Sequence, residues 1–147
     1  MTTPKLPVKN ALSAGGVVFR RREGRIEIAL VGNKERGIWS LAKGTVEKGE
    51  DVLQTALREV AEETGLQVRS VARLGSISYW FVDKAEGCRY HKVVVYLLME
   101  AVGGDLSQHD WEHDQAAWFS PQEALAAMSY RNEADMVRKA LALLGTR

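Results

Sequence analysis

Glu59, Glu62 and Glu63 stand at i, i+3 and i+4, and on a helix turning 100° per residue they share one sector about 100° wide. Like charges at that spacing repel, and the base on the same stretch placed to relieve them is Arg58, four residues before Glu62. Between Gly44 and Leu66, six acids (Glu47, Glu50, Asp51, Glu59, Glu62, Glu63) face two bases, Lys48 and Arg58. Such a cluster is a candidate site for a hard cation. Magnesium takes carboxylate, carbonyl and water oxygens, and usually binds through few protein ligands plus substrate phosphates. A metal that bridges phosphate oxygens neutralises charge building in the transition state, and a second can acidify the attacking water, so hydrolysis needs no protein nucleophile. Three glutamates alone more often mark a solvated helix face, so the surroundings decide.

The element that must carry these carboxylates is a helix from Asp51, where Leu53, Ala56, Leu57 and Val60 recur at helical spacing and Gly65 supplies a left-handed cap. Before it, residues 13–21 and 26–31 read as a hairpin around Glu23-Gly24, residues 38–41 as a short strand, and residues 43–50, with Gly44 and Gly49, as a loop. After it, residues 74–82 and 90–98 read as a long hairpin around a polar turn at 83–88. Gly103-Gly104 opens a loop to about Gln115, and residues 116–119 form one more strand. Ser120-Pro121-Gln122-Glu123 fits a capping box that starts a short helix through Ala127. Asn132 is the expected cap of the last helix, whose apolar stripe is Met136, Val137, Ala140, Leu141 and Leu144 and which Gly145 ends. The pattern predicts an α+β fold with a mixed sheet between helices, a tail over residues 1–10 and one domain over residues 11–147.

A chain of 147 residues can bury roughly two thirds of its unfolded surface without staples. Cys88 is the single cysteine, so no internal disulfide forms and a reducing, cytoplasmic setting is the default expectation. The most apolar uncharged stretch, residues 93–99, is far short of the roughly 18 residues a spanning helix needs, and residues 1–10 lack a signal-peptide core. Net charge is +1, which gives no global pull onto nucleic acid or anionic lipid. The expected partner is a small nucleotide; monomer and homodimer both remain open.

Gly44, Glu50, Arg58, Glu59, Val60, Glu62, Glu63, Gly65 and Leu66 match the Nudix box, Gly-x5-Glu-x7-Arg-Glu-U-x-Glu-Glu-x-Gly-U with U a bulky aliphatic, at every specified position. A complete chance match in a chain this long is on the order of 10⁻⁷ at average residue usage. The resemblance extends to residues 14–18, 39–44 and 118–125, which are similar to the opening strand, the lead-in to the box and the closing strand and helix of Nudix domains. It implies an α/β/α sandwich, a divalent metal (Mg2+ or Mn2+), and hydrolysis of a nucleoside diphosphate linked to another group. It further implies that Glu59, Glu62 and Glu63 bind metal with the Gly44 carbonyl, that Glu59 can activate water, and that Arg58 fixes a glutamate rotamer. Glu50 orients the loop. Many Nudix proteins recruit a further carboxylate before the closing strand; here Glu112 is the expected base or extra ligand, with His113 and Asp114 as alternatives.

Substrate choice lies outside the box. Trp39-Ser40-Leu41-Ala42-Lys43-Gly44 resembles the Trp-x-x-Pro-Lys-Gly lead-in of the diadenosine polyphosphate hydrolases, with Ala42 in place of proline and Lys43 beside a passing polyphosphate. Glu112-His113 followed by Trp118 also resembles the asymmetrical diadenosine tetraphosphate hydrolases, and Lys92 sits where that group keeps a phosphate-facing lysine. Tyr79, Phe81, Tyr90 and Tyr96 are candidates to stack an adenine, or else core and cross-strand pairs, and Tyr79 is the chosen binding residue. Oxidised deoxynucleoside triphosphate, ADP-ribose, capped RNA and diphosphoinositol polyphosphate stay open as substrates. A ligand-sensing module would be expected to lose metal carboxylates, and the isomerase relatives would need Cys88 activated.

Overall fold

The computed structural model describes residues 6–145. Its strands are β1 (Val8–Arg22), β2 (Arg25–Asn33), β3 (Ile38–Ser40), β4 (Ala42–Thr45), β5 (Leu66–Asp83), β6 (Cys88–Gly104) and β7 (Gln115–Phe119), and its helices are α1 (Val52–Thr64), α2 (Pro121–Ala127) and α3 (Arg131–Leu143). One mixed sheet runs β3-β2-β1-β6-β5, with β4 also on β1 and β7 also on β2. β1 runs parallel to β6 and antiparallel to its other partners: Ser13 to Gly16 pair with β4, and Val18 to Arg22 pair with β2. One strand therefore aligns the lead-in to the glutamate helix with the centre of the sheet.

Alternation along the strands divides the core between the two faces. On one face Val94, Tyr96 and Leu98 of β6 pack with Val17, Ile28 and Leu30 and with Met136, Val137 and Ala140 of α3. On the other, Leu97 and Met99 of β6 pack with Ala56 and Val60 of α1. Ala14, Ala29 and Ala42 line that second face and let the helix approach closely. The result is the α/β/α sandwich with a mixed sheet that the sequence predicted.

Four expectations need correction. The loop expected over residues 43–50 opens as strand β4, because Ser13 to Gly16 of β1 supply backbone partners to Ala42 to Thr45. The tail expected through Asn10 ends earlier: β1 starts at Val8, and Val8, Lys9 and Asn10 pair with Arg89, Tyr90 and His91 of β6. Residues 1–5 of that tail lie outside the described residues. A distant strand supplies the backbone partners here, and tertiary pairing overrides weak local propensity. Asn132 does not cap α3, which begins one residue before it behind Tyr130 with no side-chain cap. Leu53, placed in the buried stripe of α1, is exposed, and Val52 packs in its stead. The cap on α2 is as expected, with Ser120 and Glu123 bonding reciprocally.

Candidate active site

Helix α1 is fixed at both ends. Asp51 accepts from the Gln54 N–H at 2.8 Å while the Gln54 side chain accepts from the Asp51 N–H at 2.9 Å, closing a capping box. At the other end Gly65 adopts φ 74° and donates to the Ala61 carbonyl at 2.9 Å. A side chain at Gly65 would also strike the backbone of Asp105 and Gln108, so the glycine serves both the turn and the packing.

The three box carboxylates differ in environment. Glu63 is 7% exposed, Glu59 is half-buried and Glu62 projects to solvent. Gly44 on β4 lies directly against Glu59, since a Cβ on Gly44 would fall inside the Glu59 carboxyl group. Glu63 accepts from the Lys43 N–H at 2.7 Å, so β4 delivers both its backbone amide and the Gly44 glycyl surface to α1. Burial pushes the Glu63 carboxyl up to about 8, with the Glu59 and Asp110 charges adding to it and the Lys43 amide opposing it. Burial also raises Glu59, against the Arg58 bond, and the Glu62 and Glu112 charges push the same way.

Arg58 sits at the centre of a fan. It donates to Glu50 at 2.7 and 2.9 Å, to Glu59 at 2.8 Å and to Glu62 at 3.4 Å. Glu50 also accepts from the Thr55 hydroxyl and the Glu47 N–H, and chiefly through the Arg58 bond its carboxyl is held down at about 2. The guanidinium is thus committed to holding carboxylates.

Beyond the box, the loop before β7 brings Asp110 and His113 to Glu63: one ligand atom from each lies within 4.8 Å of the other two. His113 Nδ1 is 3.0 Å from Asp110 Oδ1. Asp110 is absent from the residues the sequence marked; its Asp-x-x-His spacing to His113 is the signal that could have found it. Glu112 is exposed and lines a cleft of about 220 Å³ with His113, Lys43, Arg36 and Tyr130. Asp114 accepts from the Lys34 N–H at 2.8 Å, which gives it a structural task.

Lys43 also borders a second cleft, of about 480 Å³, with Ile77, Tyr79, Tyr130, Asn132 and Glu133. Its Nζ lies 2.9 Å from Glu133, a residue only 2% exposed, which in addition accepts from the Leu41 N–H at 3.1 Å and from the Tyr96 hydroxyl at 2.7 Å. Tyr96 is therefore a buried donor and is withdrawn from the stacking candidates. Lys92 is partly buried on β6 directly across from Tyr79, so the two share a face of the sheet. Phe81 stacks on Tyr90 at 5.0 Å as a cross-strand pair. Cys88 is buried, and burial followed by the Glu86 carboxylate raises its thiol pKa, the opposite of activation. A further concavity, of about 740 Å³ over the β1–β2 turn and α2, includes none of these site residues.

A mixed sheet between helices, with a glycine strand feeding a carboxylate helix, defines the class of Nudix-fold proteins. Residues 9–140 match the NUDIX domain family, and the chain belongs to that family. It is 43% identical over 127 residues to a Mycobacterium tuberculosis protein designated MutT4, covering 82% of this chain and 50% of that protein. It is 29% identical over 133 residues to a Caenorhabditis elegans asymmetrical bis(5'-nucleosyl)-tetraphosphatase, covering 90% of this chain and 95% of that one. A crystal structure of C. elegans Ap4A hydrolase superposes with a TM-score of 0.70 at 26% identity, over 92% of this chain and 99% of that chain. The chain thus spans about half the length of the mycobacterial relative and nearly all of the nematode one.

Proposed function

We propose that this chain is a Nudix pyrophosphohydrolase acting on a nucleoside diphosphate linked to another group, with a dinucleoside polyphosphate such as diadenosine tetraphosphate as its substrate. The observation that carries the reading is the donor set around Glu63: a buried carboxylate beside Glu59 and Asp110 whose nearest relief is one backbone amide. Uncompensated oxygen donors of this kind fit a hard divalent cation. Glu59, Glu62, Glu63 and the Gly44 carbonyl would hold it, with Asp110 at the margin. When bound, magnesium would neutralise charge on the phosphate oxygens and lower the pKa of a water.

The chain's own groups would do the rest. Arg58 holds one oxygen of Glu59 and leaves the other free. Glu112, exposed on the cleft wall, would accept a proton from the attacking water. Lys43 would meet the polyphosphate, Lys92 would add charge along the same sheet face, and Tyr79 would stack the adenine. Support for the dinucleoside substrate comes from the sequence similarity to the nematode tetraphosphatase and from the cleft that joins Lys43 to Tyr79.

The test is a k_cat/K_M panel in magnesium over diadenosine tetraphosphate, ADP-ribose and an oxidised deoxynucleoside triphosphate, with product analysis in ¹⁸O-labelled water. The expected result is that the tetraphosphate leads and yields ATP and AMP. A lead for either rival removes the substrate assignment, and no turnover of any substrate removes the enzyme reading.

A further inference from the structure

Three donors from distant parts of the chain meet at the carboxylate of Glu133. This residue, in the first turn of α3, is buried, and Tyr96 on β6 is fully enclosed. One carboxylate oxygen, Oε1, accepts from the Leu41 N–H at 3.1 Å, which stops the group from swinging. The other, Oε2, accepts from two donors at once, the Tyr96 hydroxyl at 2.7 Å and the Lys43 ammonium at 2.9 Å. A buried ion pair contributes little net stability, since apolar residues of the same volume serve as well. What this one does provide is a fixed place for the Lys43 ammonium.

The place is the junction of two clefts. Lys43 and Tyr130 line both the cleft that holds Glu112 and His113 and the one that holds Tyr79. A lysine head group is a point charge on a flexible four-carbon stem, and fixing it before a ligand arrives removes an ordering cost from binding. An ammonium has three donors. Among the described residues only Glu133 accepts from that of Lys43, whose side chain is 26% exposed, so the remaining donors are open to a ligand. The grip must still be limited, because a phosphate competes with Glu133 for the same charge. The Tyr96 hydroxyl limits it: a donor bonded to the same oxygen takes up part of its negative charge and weakens its hold on Lys43.

We infer that Glu133 and Tyr96 are positioning residues for polyphosphate binding, Glu133 fixing the Lys43 ammonium at the junction of the two clefts and Tyr96 limiting how tightly it is held. The inference rests on the proposed reading of Lys43 as a polyphosphate contact.

Tyr96→Phe tests it without removing the buried carboxylate, because the ring stays in the core and Oε2 keeps Lys43 as its partner. Two readouts apply. Without substrate, exchange of the Lys43 ammonium protons with water, followed by ¹⁵N NMR and assigned by its loss in Lys43→Met, is expected to slow about 3- to 10-fold. On diadenosine tetraphosphate in magnesium, KM is expected to rise about 3- to 10-fold at unchanged kcat, a part of the effect of one charge-assisted contact. Glu133→Asp, shorter by one methylene, loosens Lys43 instead: its ammonium exchanges faster, and KM again rises. Tyr90→Phe is the control, since that hydroxyl also donates to a carboxylate at 2.7 Å, that of Glu86, and its loss should move neither readout. Thermal unfolding shows that each variant is folded. A merely structural role would not drive exchange in opposite directions in the two variants. Slower exchange in a Tyr96→Phe chain that turns over no substrate supports the inference and removes only the functional reading. Exchange that is unchanged or faster in Tyr96→Phe overturns it, and so does a wild-type KM in an active Tyr96→Phe enzyme.

Discussion

Gly44→Ala is the smallest change that separates the site from the fold. A Cβ at this position would occupy the Glu59 carboxyl group itself. Ordinary carbon contacts lie at about 3.5 to 4.0 Å, so the carboxylate must retreat by more than about 1 Å or β4 must move off α1. Retreat also breaks the 2.8 Å bond from Arg58, which is anchored on Glu50 and does not follow. A misplacement of about 1 Å can cost on the order of 10²-fold in rate, which corresponds to about 2.7 kcal/mol of transition-state stabilisation. Overpacking costs about 1 to 3 kcal/mol of stability at well-packed sites, and the half-buried, movable Glu59 side chain places Gly44→Ala at the low end.

The assay is steady-state k_cat on diadenosine tetraphosphate beside thermal unfolding. Gly24→Ala provides the control: Gly24 lies at φ 78° in the β1–β2 turn with open space around its Cβ position, so alanine there costs about 1 to 2 kcal/mol of backbone strain and leaves k_cat alone. Gly44→Ala is expected to lose about 10²-fold in k_cat while keeping a melting temperature at or above that of Gly24→Ala. A k_cat within about threefold of wild type would refute the reasoning, because Glu59 would then tolerate displacement and could not be the principal metal-facing carboxylate.

Excess chelator should abolish activity and added magnesium or manganese restore it, while Glu59→Gln and Glu62→Gln each lower k_cat at least about 10²-fold without unfolding the chain. Glu112→Gln compared with Asp110→Asn decides which loop carboxylate matters, and an unchanged rate in Glu112→Gln would move the base assignment to His113 or Asp110. Lys43→Met should cost about 10 to 100-fold in k_cat/K_M on long polyphosphates, as expected for one charge-assisted contact of about 1.5 to 3 kcal/mol, and less on ADP-ribose. Equal slowing on all substrates would show that Lys43 serves only to satisfy the buried Glu133 carboxylate. Because Arg58 first of all holds Glu50 down at about 2, this pair's contribution is complete above the unfolded glutamate pKa of about 4.3 and disappears as pH falls toward 2. The melting-temperature gap between wild type and Glu50→Gln should accordingly close between about pH 4.5 and 2, and a constant gap would show that the pair is not the source.

What was legible in the sequence is what one short segment can encode. The box is a strand end, a loop and one helix, so the 3.6-residue period and the Gly65 cap place its carboxylates and Arg58 with no knowledge of the rest of the chain. Apart from β4, which lies in the expected loop, strand and helix order was readable for the same local reason. Illegible were the contacts between segments far apart in sequence. Val8 is in a strand because Arg89 is opposite it, and Tyr96 is a buried donor because Glu133, 37 residues on, reaches it from α3. No periodicity in either segment announces the other.

Lys43 shows where the boundary falls, because its residue type was readable and its circumstances were not. Its backbone amide bonds Glu63, 20 residues on, and its ammonium bonds Glu133, 90 residues on, so a single residue of β4 ties the carboxylate-bearing helix α1 to α3 across the sheet. Glu133 in turn holds the Leu41 amide and the Tyr96 hydroxyl, and satisfied donors on every side let it remain buried. The position of β4 is thus set from both faces: Glu59 and Glu63 on one, Glu133 on the other. A polyphosphate that drew the Lys43 ammonium away from Glu133 would loosen one of these ties while leaving the amide to Glu63 in place. On the proposed reading, substrate charge would act on the α3 side of β4 while the Lys43 amide keeps its bond to Glu63.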